Sequence, residues 1–243
     1  MDLVPVVDIS DPGATSLIEL DRACRDHGFF LLSGHGLDEM ISATFDAASR
    51  LFAAPPDVKN GIRRSADNPL GYNERELTKR VRDHKEVFDF VDPSQGRSQK
   101  YNRWPEGLAG FREAMTTHYE ACSALAAQTT ELVFSALGLT DATVRHHAGD
   151  RTTSSARLNH YTLGDPVPAD ERDGLAELAD VALGHHTDLG LLTLLIQDDV
   201  GGLQAQSADH GWIDVEPRPG TIVVNLADCM QVWTCLLYTS PSP

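Results

Sequence analysis

The chain has no excess of positive charge, no Cys-x-x-Cys pair and no apolar run near the ~18 residues that span a bilayer, and each absence removes a class of function. Twenty Lys and Arg against 36 Asp and Glu give a net charge of −16 spread along the sequence, which disfavours a general nucleic-acid or anionic-membrane surface. The four cysteines, Cys24, Cys122, Cys229 and Cys235, have no paired spacing and read as thiols in a reducing compartment. The start, MDLVPVVDISDP, lacks the basic and apolar regions of a signal peptide. Gly201-Gly202 precedes no helix, so it reads as a strand turn rather than a phosphate cradle. These absences leave a soluble, cytoplasmic protein with a small-molecule partner and say nothing of its oligomeric state. What is present is 41% hydrophobic residues in 243, enough for a sizeable core in one or two domains.

Periodicity divides the chain into a mostly helical first two thirds and a mostly stranded last third. Residues 4–9 and 28–33 read as strands flanking a helix that carries Leu17, Ile18, Leu20, Ala23 and Cys24. A second helix is expected over 37–53, stopped by Pro55-Pro56. The polar, basic stretch 57–85 reads as loop with short helix. From about Pro105 to Leu139 a stripe of Leu108, Phe111, Met115, Tyr119, Cys122, Ala126, Thr129, Leu132 and Leu137 predicts one long amphipathic helix closed by Gly138. Beyond residue 155, SARLNHY, LGLLTLLIQ, GGLQAQ, GWIDVE, GTIVVNLA and MQVWT read as short strands of a sandwich or small barrel, interrupted by the polar excursion 162–182.

Chemistry enters at His185-His186-Thr187-Asp188. In an extended strand side chains alternate, so His186 and Asp188 share a face and His185 points away. Ten histidines and 36 acids in 243 positions give about 1.5 His-x-acid pairs by chance. Three occur. His118 and Glu120 fall in the long helix, where positions two apart diverge, and His84 and Glu86 lie in a charged stretch that solvates or pairs them. Alternation also puts Arg157, Asn159 and Tyr161 on one face of residues 155–161 and Ala156, Leu158 and His160 on the other. Taken alone, the bare pattern is better read as a solvent-exposed face.

The run His186-Thr187-Asp188-x-Gly190-x-Leu192-Thr193-Leu194-Leu195, then Gly201-Gly202-Leu203-Gln204, then Pro219-Gly220-x-x-x-Val224-Asn225, resembles the iron(II)- and 2-oxoglutarate-dependent dioxygenases of the isopenicillin N synthase-like superfamily. The resemblance extends to Pro5-Val6-Val7-Asp8-Ile9, Cys24 to Phe30, Ser33-Gly34-His35-Gly36, Gly71-Tyr72, Lys85-Glu86-x-Phe88-Asp89 and Asn102-Arg103-Trp104-Pro105, in the family's order. It implies an α+β fold with a double-stranded β-helix (jelly-roll) core. The division it implies is a mostly helical N-terminal portion over 1–150 that contributes strands to the core, and a partial core over 151–234. It implies Fe(2+), with 2-oxoglutarate and O2 as cosubstrates, and oxidation of a small molecule with release of succinate and CO2. Two histidines and one carboxylate are the donor set such iron takes, because they leave one face open. The resemblance makes His186 and Asp188 the visible metal ligands and Asn159 and Tyr161 cosubstrate contacts, with Arg157 a weaker candidate. It makes His35 and His160 structural, and Asp228 a turn residue.

Three departures follow. Ala227 stands where the family has glycine. The family's second iron histidine would fall at about Pro243, with its Arg-x-Ser further on, and neither is found. Residues 235–243 match no part of the family, resemble a translated sequencing adapter, and read as a non-native tail on a fragment that is itself inactive. The outcome of the reaction stays open among hydroxylation, desaturation and ring formation, including an ethylene- and succinate-forming type. Two alternatives stand beside it: an oxidase of the isopenicillin N synthase or aminocyclopropane-carboxylate oxidase type, which does not use 2-oxoglutarate, and a non-catalytic jelly-roll binding module.

Overall fold

The computed structural model describes residues 4–11, 15–94, 96–139, 153–207 and 210–240. They fall into two compact units, one drawn from 1–38, 121–150 and 185–243, the other from 39–120 and 151–184.

In the first unit, β1 (Val6–Asp8), α1 (Leu17–Asp26) and β2 (Phe29–Ser33) follow the expected strand, helix and strand. The Ser16 hydroxyl accepts from the Glu19 N–H and so caps α1, while Leu20, Ala23 and Cys24 form its buried stripe. Burial pushes the Cys24 thiol up to about 12, the state of a packing cysteine rather than a reactive one. Gly34 closes β2 with φ +74, and a Cβ there would stand 2.4 Å from Asp8 Oδ1. His35 sits in that turn, its Nδ1 accepting from the Leu37 N–H at 3.0 Å.

The 26-residue helix α5 (Phe111–Ala136) begins later than its apolar stripe suggested. In its C-terminal half the buried residues are Leu125, Thr129, Val133 and Phe134; of the expected stripe Thr129 is among them, while Cys122, Ala126 and Leu132 are only half-buried. The reason is geometric, since positions four apart stay on one face of a straight helix. Gly138, φ 71, ends it.

Beyond residue 185 this unit adds β8 (Leu192–Leu195), β9 (Gln204–Ser207), β10 (Gly211–Asp214) and β11 (Thr221–Leu226). One sheet has the order β1-β2-β11-β8, with β11 antiparallel to both neighbours, and β9 pairs with β10. Val4, Phe29, Leu31, Ala205, Ile213, Val215 and Val223 make its core. MQVWT is not a strand: residues 228–233 form α6 (Asp228–Trp233), which buries Met230 and leaves Val232 and Trp233 outside. Six residues hold too few repeats to separate a period of 2 from 3.6. Tyr238 is fully buried beside α1, its hydroxyl donating to Asp21 Oδ1 at 2.8 Å.

In the second unit α2 (Asp38–Phe52) keeps the expected helix, and Pro56 starts α3 (Pro56–Gly61) at a position where its missing N–H costs nothing. The segment read as loop holds strands β3 (Gly71–Asn73), β4 (Leu77–Thr78) and β5 (Val81–Arg82), followed by β6 (Lys85–Val91) and the short α4 (Gly96–Tyr101). Six strands therefore precede residue 92, in a stretch read as mostly helical. β3, β4 and β5, at two or three residues each, are too short to show a period, and the polar chain in and around them is held by ion pairs: Arg64 with Glu76, Arg63 with Glu74, and Arg82 with Asp165. β7 (Ser155–Tyr161) completes a sheet of order β3-β6-β7. One face of it packs Tyr72, Phe88, Phe90 and Leu158 against Leu51, Phe52, Phe111, Met115 and Tyr119.

Asp165 accepts from both terminal nitrogens of Arg82, at 2.8 and 2.7 Å, and this pairing holds its pKa at about 2 against the ordinary 3.8. A depressed carboxylate contributes stability that is full above 3.8 and is lost as pH falls through 2. Arg82→Gln is therefore expected to move the midpoint of acid unfolding, followed by far-ultraviolet circular dichroism, to higher pH. An unmoved midpoint would remove the pair from the acid transition.

Candidate active site

Gly184 to Leu189 lie outside any strand, so the placement of His186 beside Asp188 does not come from the strand alternation expected of this segment. Its end is fixed by a backbone ladder onto the junction of β11 and α6: Ala227 N–H donates to Leu191 O, Asp228 N–H to Asp188 O, and Cys229 N–H to Gly190 O, at 2.9–3.0 Å. The Thr187 hydroxyl donates to Asp228 Oδ2 at 3.0 Å. Asp228, expected as a turn residue, is instead the first residue of α6, and from there its carboxylate anchors the loop.

Held this way, His186 Nε2 and Asp188 Oδ1 lie 3.6 Å apart, the imidazole 37% and the carboxylate 23% exposed. His185 turns the other way and meets Trp212 edge-on, ring centroids 6.1 Å apart. The His186 ring, foremost, holds the Asp188 carboxyl below the usual range, helped by hydrogen bonds from Thr193 and Asn225 against the opposing effect of burial. Thr193 and Asn225 are direct cross-strand partners on β8 and β11. Neither supporting role was read from the sequence, although each is a polar residue inside an otherwise apolar run.

First-row divalent ions take nitrogen and carboxylate donors at about 2.0–2.2 Å, so one ion can reach both atoms across 3.6 Å. An imidazole and a carboxylate supported by polar neighbours fit the chemistry of ferrous iron. Among the described residues no group of three or more His, Cys, Asp or Glu converges.

In the other unit, register pairs Tyr161 with Lys85, Asn159 with Val87 and Arg157 with Asp89. Asn159 is exposed and Tyr161 50% exposed, and neither side chain has a hydrogen-bond partner among the described residues. Desolvation of the Tyr161 hydroxyl, followed by the charge of Asp83, raises its pKa, so it is held as a donor. The opposite face is structural: Leu158 is core, and His160 stacks on Phe52 at 5.0 Å while its Nδ1 meets Glu86 Oε2 at 2.8 Å. The other histidine–acid pairs are structural too. His84 bonds the Ala179 carbonyl, and His118 meets the Thr44 hydroxyl at 3.3 Å.

Residues 4–107 match the family model described as the N-terminal domain of non-haem dioxygenases in morphine synthesis, and 152–242 match that of the 2OG-Fe(II) oxygenase superfamily. A 2-oxoglutarate-dependent dioxygenase of Didymella fabae is 32% identical over 95% of this chain and 74% of its own length. The chain belongs to the 2OG-Fe(II) oxygenases. A soybean (Glycine max) homoarginine-6-hydroxylase is 30% identical over 98% of this chain and 78% of its own. Among solved structures, a full-length Neurospora crassa protein in complex with alpha-KG and 5-formyluracil superposes with a TM-score of 0.80 at 23% identity, over 98% of this chain and 76% of that one. The rice dioxygenase for auxin oxidation does so with 0.72 at 24%, over 98% and 76%. These establish the expected α+β fold with a jelly-roll core. As a family member, this oxygenase uses Fe(2+), 2-oxoglutarate and O2.

Proposed function

We propose that His186 and Asp188 are two of this oxygenase's iron ligands, that Asn159 and Tyr161 bind 2-oxoglutarate, and that the enzyme oxidises a small molecule by hydroxylation, desaturation or ring formation. The observation that carries the reading is the His186–Asp188 pair, 3.6 Å apart and braced by Thr193 and Asn225. Ferrous iron bound there supplies the activation of O2 coupled to conversion of 2-oxoglutarate to succinate and CO2. The chain's own residues do the rest. Asp228 and the ladder from residues 227–229 keep both donors on one side of the loop, and Asn225 and Thr193 keep the carboxylate aimed and ionised. Asn159 and Tyr161 offer an amide and a hydroxyl with no partner among the described residues.

Relatives named as a hydroxylase and as gibberellin dioxygenases support the oxidation of a small organic substrate, and hydroxylation foremost. They do not favour an oxidase that dispenses with 2-oxoglutarate, nor a binding module. An N-terminal portion over 1–150 and a core over 151–234 remain our division, supported at residue 150 by family matches over 4–107 and 152–242; the second match runs on through 235–242, against the expectation that these residues match no part of the family. A cytoplasmic site accords with four free thiols, and no helix among the described residues is long and apolar enough to cross a membrane.

Tyr161→Phe and Asn159→Ala should each weaken 2-oxoglutarate binding by roughly two- to tenfold, the equivalent of one hydrogen bond worth about 0.5–1.5 kcal/mol. Calorimetry in the presence of ferrous iron under argon measures this. Unchanged affinity in both variants would refute the role of this strand.

A further inference from the structure

Arg157 lies on the same face of β7 as Asn159 and Tyr161, and its guanidinium is already engaged. Nε donates to Asp89 Oδ1 at 2.7 Å and Nη2 to Asp89 Oδ2 at 3.2 Å, while Nη1 and Nη2 donate to the two Glu76 oxygens at 2.9 and 3.1 Å. Arg64 meets the same two carboxylates, with Nη1 donating to Glu76 Oε1 at 2.8 Å and Nη2 paired with Asp89. Two guanidiniums and two carboxylates therefore alternate around a closed ring, with Lys85 Nζ 3.2 Å from Glu76 Oε2 at its rim. The carboxylates are only 12% and 10% exposed, which strengthens each bond relative to a surface pair.

Four of the five N–H donors of Arg157 are spent in this ring. One donor remains, too few for the two-pronged grip by which arginine holds a carboxylate. Among the described residues β7 pairs with β6 alone, and Leu158 is its one buried side chain. An edge strand so lightly buried frays unless its outward face is tied down. The ring ties it to β6 through Asp89 and to the segment before β4 through Glu76.

We infer that Arg157 is a positioning residue: it closes a four-member charge ring that fixes β7, and with it Asn159 and Tyr161, in place for the cosubstrate. The role toward 2-oxoglutarate rests on the function proposed above; the ring itself does not. Arg157 thus aims the contacts to the cosubstrate without making one.

Hydrogen exchange followed by mass spectrometry on the full chain, alongside calorimetry with 2-oxoglutarate and ferrous iron, tests this. Arg157→Gln and the near-isosteric Glu76→Gln should each lower amide protection over 155–161 by about tenfold, and the double variant should lose no more than either alone. Arg157→Lys should not rescue it, because an ammonium lacks the planar fork. Affinity for 2-oxoglutarate should fall several-fold in both Gln variants. A direct cosubstrate contact would give the opposite pattern, with Arg157→Gln weakening binding while Glu76→Gln, which frees the guanidinium, leaves it equal or tighter. That pattern, or unchanged protection over 155–161, overturns the inference. Absence of any 2-oxoglutarate binding by the unaltered chain overturns the cosubstrate role of β7 instead, and the exchange data then judge the ring alone.

Discussion

Replacing His186 with alanine is expected to abolish ferrous-iron binding in anaerobic equilibrium dialysis, whereas His185→Ala leaves it intact. The two histidines are adjacent in sequence and opposite in role. His186 Nε2 stands 3.6 Å from Asp188 Oδ1, while His185 packs against Trp212. Asp188→Ala should match His186→Ala, because either change leaves one protein donor of the pair. Asn225→Ala should be milder, within the about 10–100-fold that follows loss of a ligand's supporting partner. The dialysis is run with free iron well above the protein concentration. Loss of iron in the His185 variant with retention in the His186 variant would invert the assignment.

Phe88→Ala is expected to cost roughly 3–5 kcal/mol of stability. The Phe88 ring is fully buried and meets Phe111 edge-to-face at 5.4 Å, with Phe90 at 5.9 Å and Trp104 at 6.2 Å. The three rings at its contacts cannot fold into the space it leaves, so much of the cavity persists. The change also loosens the pairing of Phe88 with Leu158, on the strand that carries Asn159 and Tyr161. Urea unfolding should show a lower midpoint with an unchanged slope, while Leu163→Ala, at a fully exposed side chain, should stay within about 0.5 kcal/mol of the original. Equal effects of the two changes would mean that the β3-β6-β7 core is not packed as described.

The sequence disclosed those parts of the molecule whose physics is local. α1 and α2 follow an apolar stripe because each buries one face, and β2 and β11 show as continuous apolar runs because both their faces are buried. The strands between residues 71 and 91 did not show, since Arg82 and Lys85 there are held by carboxylates up to 83 positions away. A charge buried by a distant partner looks, in one dimension, like a charge in solvent. The site divides the same way. His186 and Asp188 were legible because their spacing is itself the geometry, and the outward face of Asn159 and Tyr161 followed from alternation. Thr193 and Asn225 were not, because what makes them matter is the register of β8 against β11, which no local pattern encodes.

The most direct measurement is two-dimensional NMR of the isotopically labelled chain under argon, titrated with ferrous iron and then with 2-oxoglutarate. Iron is predicted to broaden His186, Thr187 and Asp188 first, and 2-oxoglutarate to shift Asn159 and Tyr161 only once iron is present. Broadening centred on other histidines, such as His27 and His210, or identical shifts at β7 without iron, would contradict the account.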